Sequence, residues 1–279
     1  MTYIKQLDAL RGLAVLLVII SHWLPKSHVL NTVPNGKIGV DIFFVLSGFL
    51  ISGILLNSRK MVGTSMSILQ VLKHFYIRRS LRIFPVYYLY ILILFLLGFS
   101  VSNGLIYYVT YTANFHFYNN NSWAGTLSHL WSLCVEEQFY IIWPFIILLI
   151  PREYLLSSIY TFISIGVVSQ IIVHNNPLGI ILPFTCFDSF GMGALLAYYY
   201  NVRKDKIDSF ERIIQVACFF VIPLLVLYSV SKKFDFLPLR TLISLFSLLV
   251  ITKIVRANET NIDFLRPLNN FILQSIGEN

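Results

Sequence analysis

The segment LDALRGLAVLLVIISHW, residues 7–23, is apolar enough to cross a bilayer, yet it contains charged side chains. Arg11 and His22 are eleven positions apart, so on a helix they lie within about 20° of each other. The rise between them is ~16 Å, about half of a hydrocarbon core. Asp8 lies on the same side, about 60° from Arg11. Because an ionisable side chain inside a membrane span is costly, this stripe predicts a helix that lines a polar interior.

The composition indicates an integral membrane protein. Of the 279 residues, 57% are hydrophobic and 12% are charged, about half the charged fraction of a soluble domain. The net charge of +8 does not indicate nucleic-acid binding, because the basic residues cluster in a few loops. No cleavage site follows the first apolar segment, so we interpret it as a retained helix. The three cysteines lie in apolar segments and are expected to be buried without disulfides: Cys134, Cys186 and Cys218.

Eight apolar segments are long enough to span a bilayer. They lie at about 7–25, 38–57, 83–100, 128–150, 155–173, 181–200, 210–230 and 237–256. A further aromatic segment, 104–118, is short and contains polar residues, so we expect it to be interfacial or re-entrant. The predicted fold is an all-α transmembrane helix bundle of about eight spans, in which residues 1–279 form a single membrane domain.

The distribution of lysine and arginine predicts the orientation. The connection 58–82 carries six basic residues and 201–212 carries four, whereas 99–127 and 174–182 carry none. The positive-inside rule therefore places the N-terminus, the C-terminal tail and the basic connections in the cytoplasm of a multi-pass protein of the cell membrane. Two residues conflict with this alternation, Lys232 and Lys233.

With this orientation, several polar side chains fall in the outer half of the bundle. His22 ends an outward-running helix, and Asp41 begins an inward-running one. His129 and Glu136 are seven positions apart and share a helix face to within about 20°. Glu137 lies about 100° from Glu136. We therefore expect Glu136 to face a chamber shared with His129, and Glu137 to make a hydrogen bond between helices.

The inner side carries a group of arginines. Arg79 and Arg82 are three apart and share a helix face, with Arg78 beside them. The guanidinium of arginine can bind a phosphate group through two parallel hydrogen bonds, so these three arginines are a candidate polyanion site. Each polar feature also has a structural interpretation. The arginines could anchor a helix at the membrane surface, His129 could contact headgroups, and Asp41 could cap a helix.

Five segments of the chain resemble the acyltransferase-3 family of integral-membrane O-acyltransferases. Besides residues 7–23 they are GVDIFFVLSGFLIS at 39–52, FYIRRSLRIFPVYY at 75–88, LWSLCVEEQFYIIWP at 130–144 and FDSFGMGALLA at 187–197. The resemblance implies transfer of an acyl group, commonly acetyl, from cytoplasmic acyl-CoA to a hydroxyl of an extracytoplasmic glycan or glycosylated acceptor. The expected partners are therefore the bilayer, acyl-CoA and the glycan, and no metal is expected.

The resemblance also implies roles for individual residues. The family motif of Arg and His separated by ten residues is matched by Arg11 and His22, and the Arg-x-x-Arg motif by Arg79 and Arg82. The essential carboxylate of the family would be Glu136. His22 is then expected to be the general base on the acceptor hydroxyl, because an imidazole exchanges protons near neutral pH. Either Glu136 or Asp41 would orient it or carry the proton outward.

The remaining polar residues complete the predicted site. The CoA phosphates would bind Arg79 and Arg82 with help from Arg78, and Arg11 would contact the pyrophosphate or the pantetheine arm. Three side chains would belong to the substrate chamber: His129, Glu137 and Asp188. Direct transfer and a covalent acyl-histidine relay are both compatible with these residues.

The resemblance is incomplete at the C-terminal end. The family usually has about ten spans, and the motif LQSIGEN at 273–279 continues there into further helices. We therefore expect the chain to lack the last two family helices. Two other functions stay open: a proton- or anion-coupled carrier, for which a polar stripe at several depths is also typical, and a catalytically inactive truncated family member.

Overall fold

The computed structural model describes residues 4–25, 27–98, 104–230, 237–260, 268 and 270–278. Helices are the only regular secondary-structure elements of these residues, which confirms the predicted all-α class. Its α-helices are α1 (Lys5–Trp23), α2 (Asn35–Arg59), α3 (Ile68–Leu96), α4 (Leu105–Val109), α5 (Ala113–Asn119), α6 (Leu130–Leu149), α7 (Arg152–Ile172), α8 (Phe187–Asn201), α9 (Ile207–Val230), α10 (Leu239–Thr260) and α11 (Phe271–Glu278).

Six helical segments among the described residues are long and apolar enough to span a membrane, and they contain α1, α2, α3, α6, α7 and most of α9. The other two predicted spans are helical as well. The α8 helix has only 15 residues, fewer than the ~20 that a bilayer requires, because the segment before it forms short 3-10 turns that include Pro183. The α10 helix has 22 residues but carries several charges, among them Arg240, Lys253 and Arg256.

The α3 helix begins much earlier than the sequence predicts. The sequence predicts a connection over 58–82, but the helix begins at Ile68, so this prediction is wrong for residues 68–82. Ser67 and Gln70 form a capping box: Ser67 Oγ accepts from the Gln70 amide at 3.2 Å, and Gln70 Oε1 accepts from the Ser67 amide at 2.8 Å. The three arginines therefore lie on one continuous helix: Arg78, Arg79 and Arg82.

The aromatic segment 104–118 does not span, in line with the sequence prediction, and forms the short helices α4 and α5. It is held against α6 by paired amides. Asn114 donates to Gln138 Oε1 at 3.2 Å, and Gln138 Nε2 donates to the carbonyl of Tyr111 at 2.7 Å. This contact places the segment beside the carboxylate-bearing part of α6.

Close helix contacts through glycine hold the centre of the bundle together. Gly48 of α2 lies against the carbonyl of Phe190 in α8, and Gly193 of α8 lies against the carbonyl of Val45. A Cβ atom at either glycine would overlap backbone atoms, so these two glycines allow α2 and α8 to approach closely. The α2 helix also contacts α1, α6 and α10. The polar side chains of α2 are thus positioned between several helices.

The α1 helix lies between α2 and α11. Gly39 of α2 packs on the Ala14 carbonyl, and Gly36 approaches the hydroxyl of Ser21. On another face of α1, Gly12 meets the backbone of Leu273 in α11. The start of α2 therefore lies beside the end of α1. The cysteines are free and buried, as predicted: Cys134, Cys186 and Cys218.

Candidate active site

The charged stripe of α1 is partly enclosed. Nη1 of Arg11 lies 3.1 Å from Oδ1 of Asp8, one turn earlier, so the predicted proximity of these two residues is confirmed. The side chain of Arg11 is 23% exposed and that of Asp8 is 9% exposed. His22 lies in the last turn of α1 and is exposed. The stripe thus runs from a partly buried ion pair to an accessible imidazole.

Glu136 on α6 is bound by hydroxyl groups from two helices. Ser47 Oγ of α2 donates to Oε1 of Glu136 at 2.9 Å, and the Tyr140 hydroxyl donates to Oε2 at 3.4 Å. The two hydroxyl groups are also 3.4 Å apart. The guanidinium of Arg79 on α3 lies over the Tyr140 ring, 5.2 Å from its centroid. Glu136 is therefore linked through Tyr140 to the arginine-bearing helix.

These residues form one electrostatic group, which we call the donor cluster: Arg11, Ser47, Arg79, Arg82, Glu136 and Tyr140. Arg11 interacts electrostatically with Arg82, Glu136 and Tyr140. Glu136 interacts in the same way with Arg79 and Arg11. Helices α1, α2, α3 and α6 each contribute to the donor cluster. The structure thus brings together residues of four separate sequence segments.

A cavity of about 250 Å³ adjoins the donor cluster. Arg78, Arg79 and Arg82 line one wall, together with His74 of the same helix. The C-terminal half of α2 supplies the other wall, from Ile54 to Ser58. We call this space the arginine cavity. Three cations on one wall suit an anion with several phosphate groups.

A second polar group lies inside the bundle, around Asp41 of α2. Arg240 of α10 donates through Nε to Oδ1 of Asp41 at 2.8 Å, and both residues are buried. Nη1 of Arg240 donates to the carbonyl of Ile180 at 2.7 Å. The guanidinium also lies 5.6 Å from the ring centroids of both Phe44 and Trp131. Asp41 is therefore one half of a buried ion pair.

Asp188 of α8 belongs to the same polar group. Its Oδ2 accepts from Thr241 at 2.6 Å and from Gln170 at 2.9 Å. Its Oδ1 is buried and has no partner among the described residues. Arg240 interacts electrostatically with both Asp188 and Asp41. We call this group the Asp41–Arg240 cluster, and it joins α2, α7, α8 and α10.

A cavity of about 340 Å³ opens beside the Asp41–Arg240 cluster, and we call it the polar cavity. It lies where α2 and α10 begin and α7 ends. Its polar lining consists of Lys37, Asp41, Gln170, His174, Asn176 and Arg240. The arginine cavity lies at the other end of α2. The rise along α2 from Asp41 to Ser58 is ~26 Å, close to the thickness of a hydrocarbon core.

Two further predicted residues lie near these clusters. Oε1 of Glu137 is buried and has no partner in the described part of the chain, so the helix-to-helix hydrogen bond expected of Glu137 is made instead by Glu136. The reversal follows from the position of Ser47, which faces Glu136. His129 is exposed, with its ring centroid 5.7 Å from that of Tyr90, and it interacts electrostatically with His22.

The predicted site residues therefore divide into groups at different levels of the bundle. Arg11 and Glu136 share the donor cluster, whereas Asp41 and Asp188 share the Asp41–Arg240 cluster. No hydrogen bond between described residues joins His22 to either Glu136 or Asp41. Five residues with defined contacts in these clusters were not predicted from the sequence: Ser47, Tyr140, Gln170, Arg240 and Thr241.

Comparison with known proteins decides the family. A family model described as an acyltransferase domain matches residues 4–279. This chain belongs to the acyltransferase-3 family. The family and the apolar helices together make it a multi-pass membrane protein. No solved structure is a significant match.

Several curated relatives are similar over parts of the chain. A putative O-acetyltransferase of Staphylococcus aureus (strain COL) is 31% identical over 261 residues, covering 80% of this chain and 41% of that protein. The peptidoglycan O-acetyltransferase OatA of Listeria monocytogenes is 37% identical over 157 residues, covering 51% of this chain and 24% of that protein. A putative peptidoglycan O-acetyltransferase of Bacillus subtilis is 37% identical over 172 residues, covering 56% of this chain and 25% of that protein. The chain therefore spans less than half the length of these relatives.

Proposed function

We propose that this protein is a membrane O-acyltransferase that moves an acetyl group from cytoplasmic acyl-CoA to a hydroxyl of a cell-envelope glycan. The observation that carries the proposal is the arginine cavity, which is linked through Arg79 and Tyr140 to the carboxylate of Glu136. Relatives named as O-acetyltransferases support the reaction class. The proposed orientation, with the N-terminus in the cytoplasm, follows from the basic residues near the arginine cavity.

The donor would bind at the cytoplasmic end. Its phosphate groups match the cations of the arginine cavity: Arg78, Arg79 and Arg82. The pantetheine arm would then extend along α2 towards Arg11 and Glu136. Ser47 and Tyr140 hold Glu136 at the inner end of this path, because both hydroxyls donate to its carboxylate. These contacts would hold the pantetheine arm, so that the thioester at its end extends beyond them towards His22.

The acceptor would react at the level of His22. His22 is exposed at the end of α1, ~16 Å beyond Arg11 along the helix axis. As general base it would take the proton of the acceptor hydroxyl while the oxygen attacks the thioester carbonyl. The bond between carbon and sulfur breaks, and the proton passes from the imidazole to the departing CoA thiolate. His129 interacts electrostatically with His22 and would lie beside the reacting groups.

Peptidoglycan is the first acceptor to test, because two of the relatives are named as peptidoglycan O-acetyltransferases, one of them putative. The purified chain in lipid vesicles would be given acetyl-CoA and soluble peptidoglycan disaccharide, and ester formation would be followed by mass spectrometry. Acetyl ester on the sugar is the expected product. Transport of protons or anions into the vesicles without turnover of acetyl-CoA would instead indicate a carrier. Stable protein that neither binds nor consumes acyl-CoA would indicate an inactive family member.

A further inference from the structure

We infer that the polar cavity is the binding site for the sugar units of the acceptor. The inference rests on the proposed function and adds a location for its second substrate. The donor cluster and the arginine cavity account for Arg11, Glu136 and the arginines of α3. They leave the Asp41–Arg240 cluster without a role, although burying so many polar groups inside a membrane bundle is costly.

The polar cavity lies at the same end of the bundle as the proposed base. Gly36 at the start of α2 packs against Ser21, the neighbour of His22 on α1. Lys37 follows directly on α2 and lines the polar cavity. A molecule in this cavity would therefore lie at the level of His22. The arginine cavity lies at the opposite end of α2, so the two substrates would enter from opposite sides.

The polar cavity also has the size and lining that a sugar requires. Its volume of about 340 Å³ lies in the range typical of small-molecule sites. Sugars present hydroxyl groups that both donate and accept hydrogen bonds. The lining offers matching donors and acceptors on planar side chains, with amides from Gln170 and Asn176, an imidazole from His174 and a carboxylate from Asp41.

The guanidinium of Arg240 is fixed by its contacts with the protein in an orientation suited to such a ligand. Its Nε and Nη1 donate to protein groups, and its Nη2 makes no hydrogen bond to any described residue. The rings of Phe44 and Trp131 lie on the guanidinium at 5.6 Å. A buried guanidinium fixed by an ion pair and two rings presents its remaining donors in one orientation. That preorganisation favours recognition of a hydroxyl at a defined position.

Protection from thiol labelling tests the inference without turnover. His174 is exposed and lines the polar cavity, and the native cysteines are buried, so His174→Cys provides a single accessible thiol. A membrane-impermeant maleimide would label it in vesicles with and without soluble peptidoglycan disaccharide. Ser122→Cys is the matched control, because Ser122 is exposed in the connection before α6 and does not line this cavity.

The inference predicts that saturating disaccharide slows labelling of His174→Cys at least five-fold and leaves Ser122→Cys unchanged. Equal labelling rates with and without sugar would overturn it. Lys37→Cys, on the opposite wall, repeats the measurement if His174→Cys does not fold. If the disaccharide protects the introduced cysteine but the wild-type protein forms no acetyl ester, the proposed reaction is contradicted and the sugar site is still supported. Ester formation without protection would contradict only the site.

Discussion

Ser47 on α2 donates a hydrogen bond of 2.9 Å to Glu136 on α6, 89 residues later in the chain. The same carboxylate accepts from Tyr140, whose ring lies beneath the guanidinium of Arg79. Helix α2 therefore connects to the arginine-bearing helix through two hydroxyl groups and one carboxylate. This connection ties the proposed phosphate site to the interior of the bundle.

Ser47→Ala should lower acetyl transfer by about ten-fold or more. A hydrogen bond to a charged group contributes about 1.5–3 kcal/mol, and 1.4 kcal/mol corresponds to a factor of ten in rate. The rate constant for transfer should fall while the dissociation constant for acyl-CoA stays close to that of the wild type. Ser52→Ala is the control, since Ser52 accepts from the Trp143 indole at 2.8 Å and should affect stability only. Transfer at the wild-type rate in Ser47→Ala would refute this role.

Asp41→Ala should destabilise the folded protein by about 3–5 kcal/mol, because it removes the carboxylate that forms the ion pair with buried Arg240. Thermal unfolding in detergent measures the effect as a lower Tm. The matched control is Asp208→Ala, which removes an exposed ion pair with Arg256 and should cost no more than about 1 kcal/mol. Equal losses of stability in the two variants would show that the Asp41–Arg240 pair is not buried as described.

Arg82→Ala should weaken acyl-CoA binding about ten-fold, because Arg82 lines the arginine cavity. The wild-type affinity should fall as salt is raised, since exposed charges are screened, and the variant should depend less on salt. Isothermal titration calorimetry with purified protein gives both quantities. Arg203→Ala removes an exposed arginine outside the cavity and should bind like the wild type. Binding that does not respond to salt would argue against a phosphate site.

His22→Ala should abolish transfer and leave acyl-CoA binding intact, because His22 lies ~16 Å along α1 from Arg11 and outside the arginine cavity. The two properties are measured separately, by ester formation and by calorimetry. His28→Ala is the control, since it removes another exposed imidazole in the connection after α1. Undiminished transfer in His22→Ala would remove His22 from the reaction.

Much of the fold could be predicted from helical periodicity and hydropathy. The proximity of Asp8 and Arg11 follows from a spacing of three residues and is confirmed at 3.1 Å. The early start of α3 could also have been found, because Ser67 and Gln70 have the spacing of a capping box. Hydropathy alone does not reveal this start, since the first turns of α3 carry basic residues and a search for apolar segments excludes them.

The polar clusters could not be predicted in this way, because they depend on contacts between distant helices. Arg240 pairs with Asp41, 199 residues earlier, and in the sequence it resembles a basic residue at the end of a span. Ser47 is hidden for a related reason, since a serine inside an apolar helix usually bonds its own backbone. The adjacent carboxylates on α6 could be recognised as important, but only the structure shows that Glu136 bonds Ser47 and that Glu137 does not.

In the proposed reaction, donor and acceptor bind at opposite ends of α2, and a transfer assay with the two substrates on opposite sides of a membrane examines this arrangement. Vesicles containing the protein would enclose peptidoglycan disaccharide, and isotopically labelled acetyl-CoA would be added outside only. Labelled acetyl ester is expected on the enclosed sugar, formed by molecules whose arginine cavity faces outward. Label that appears on the sugar only when both substrates share one compartment would contradict this arrangement.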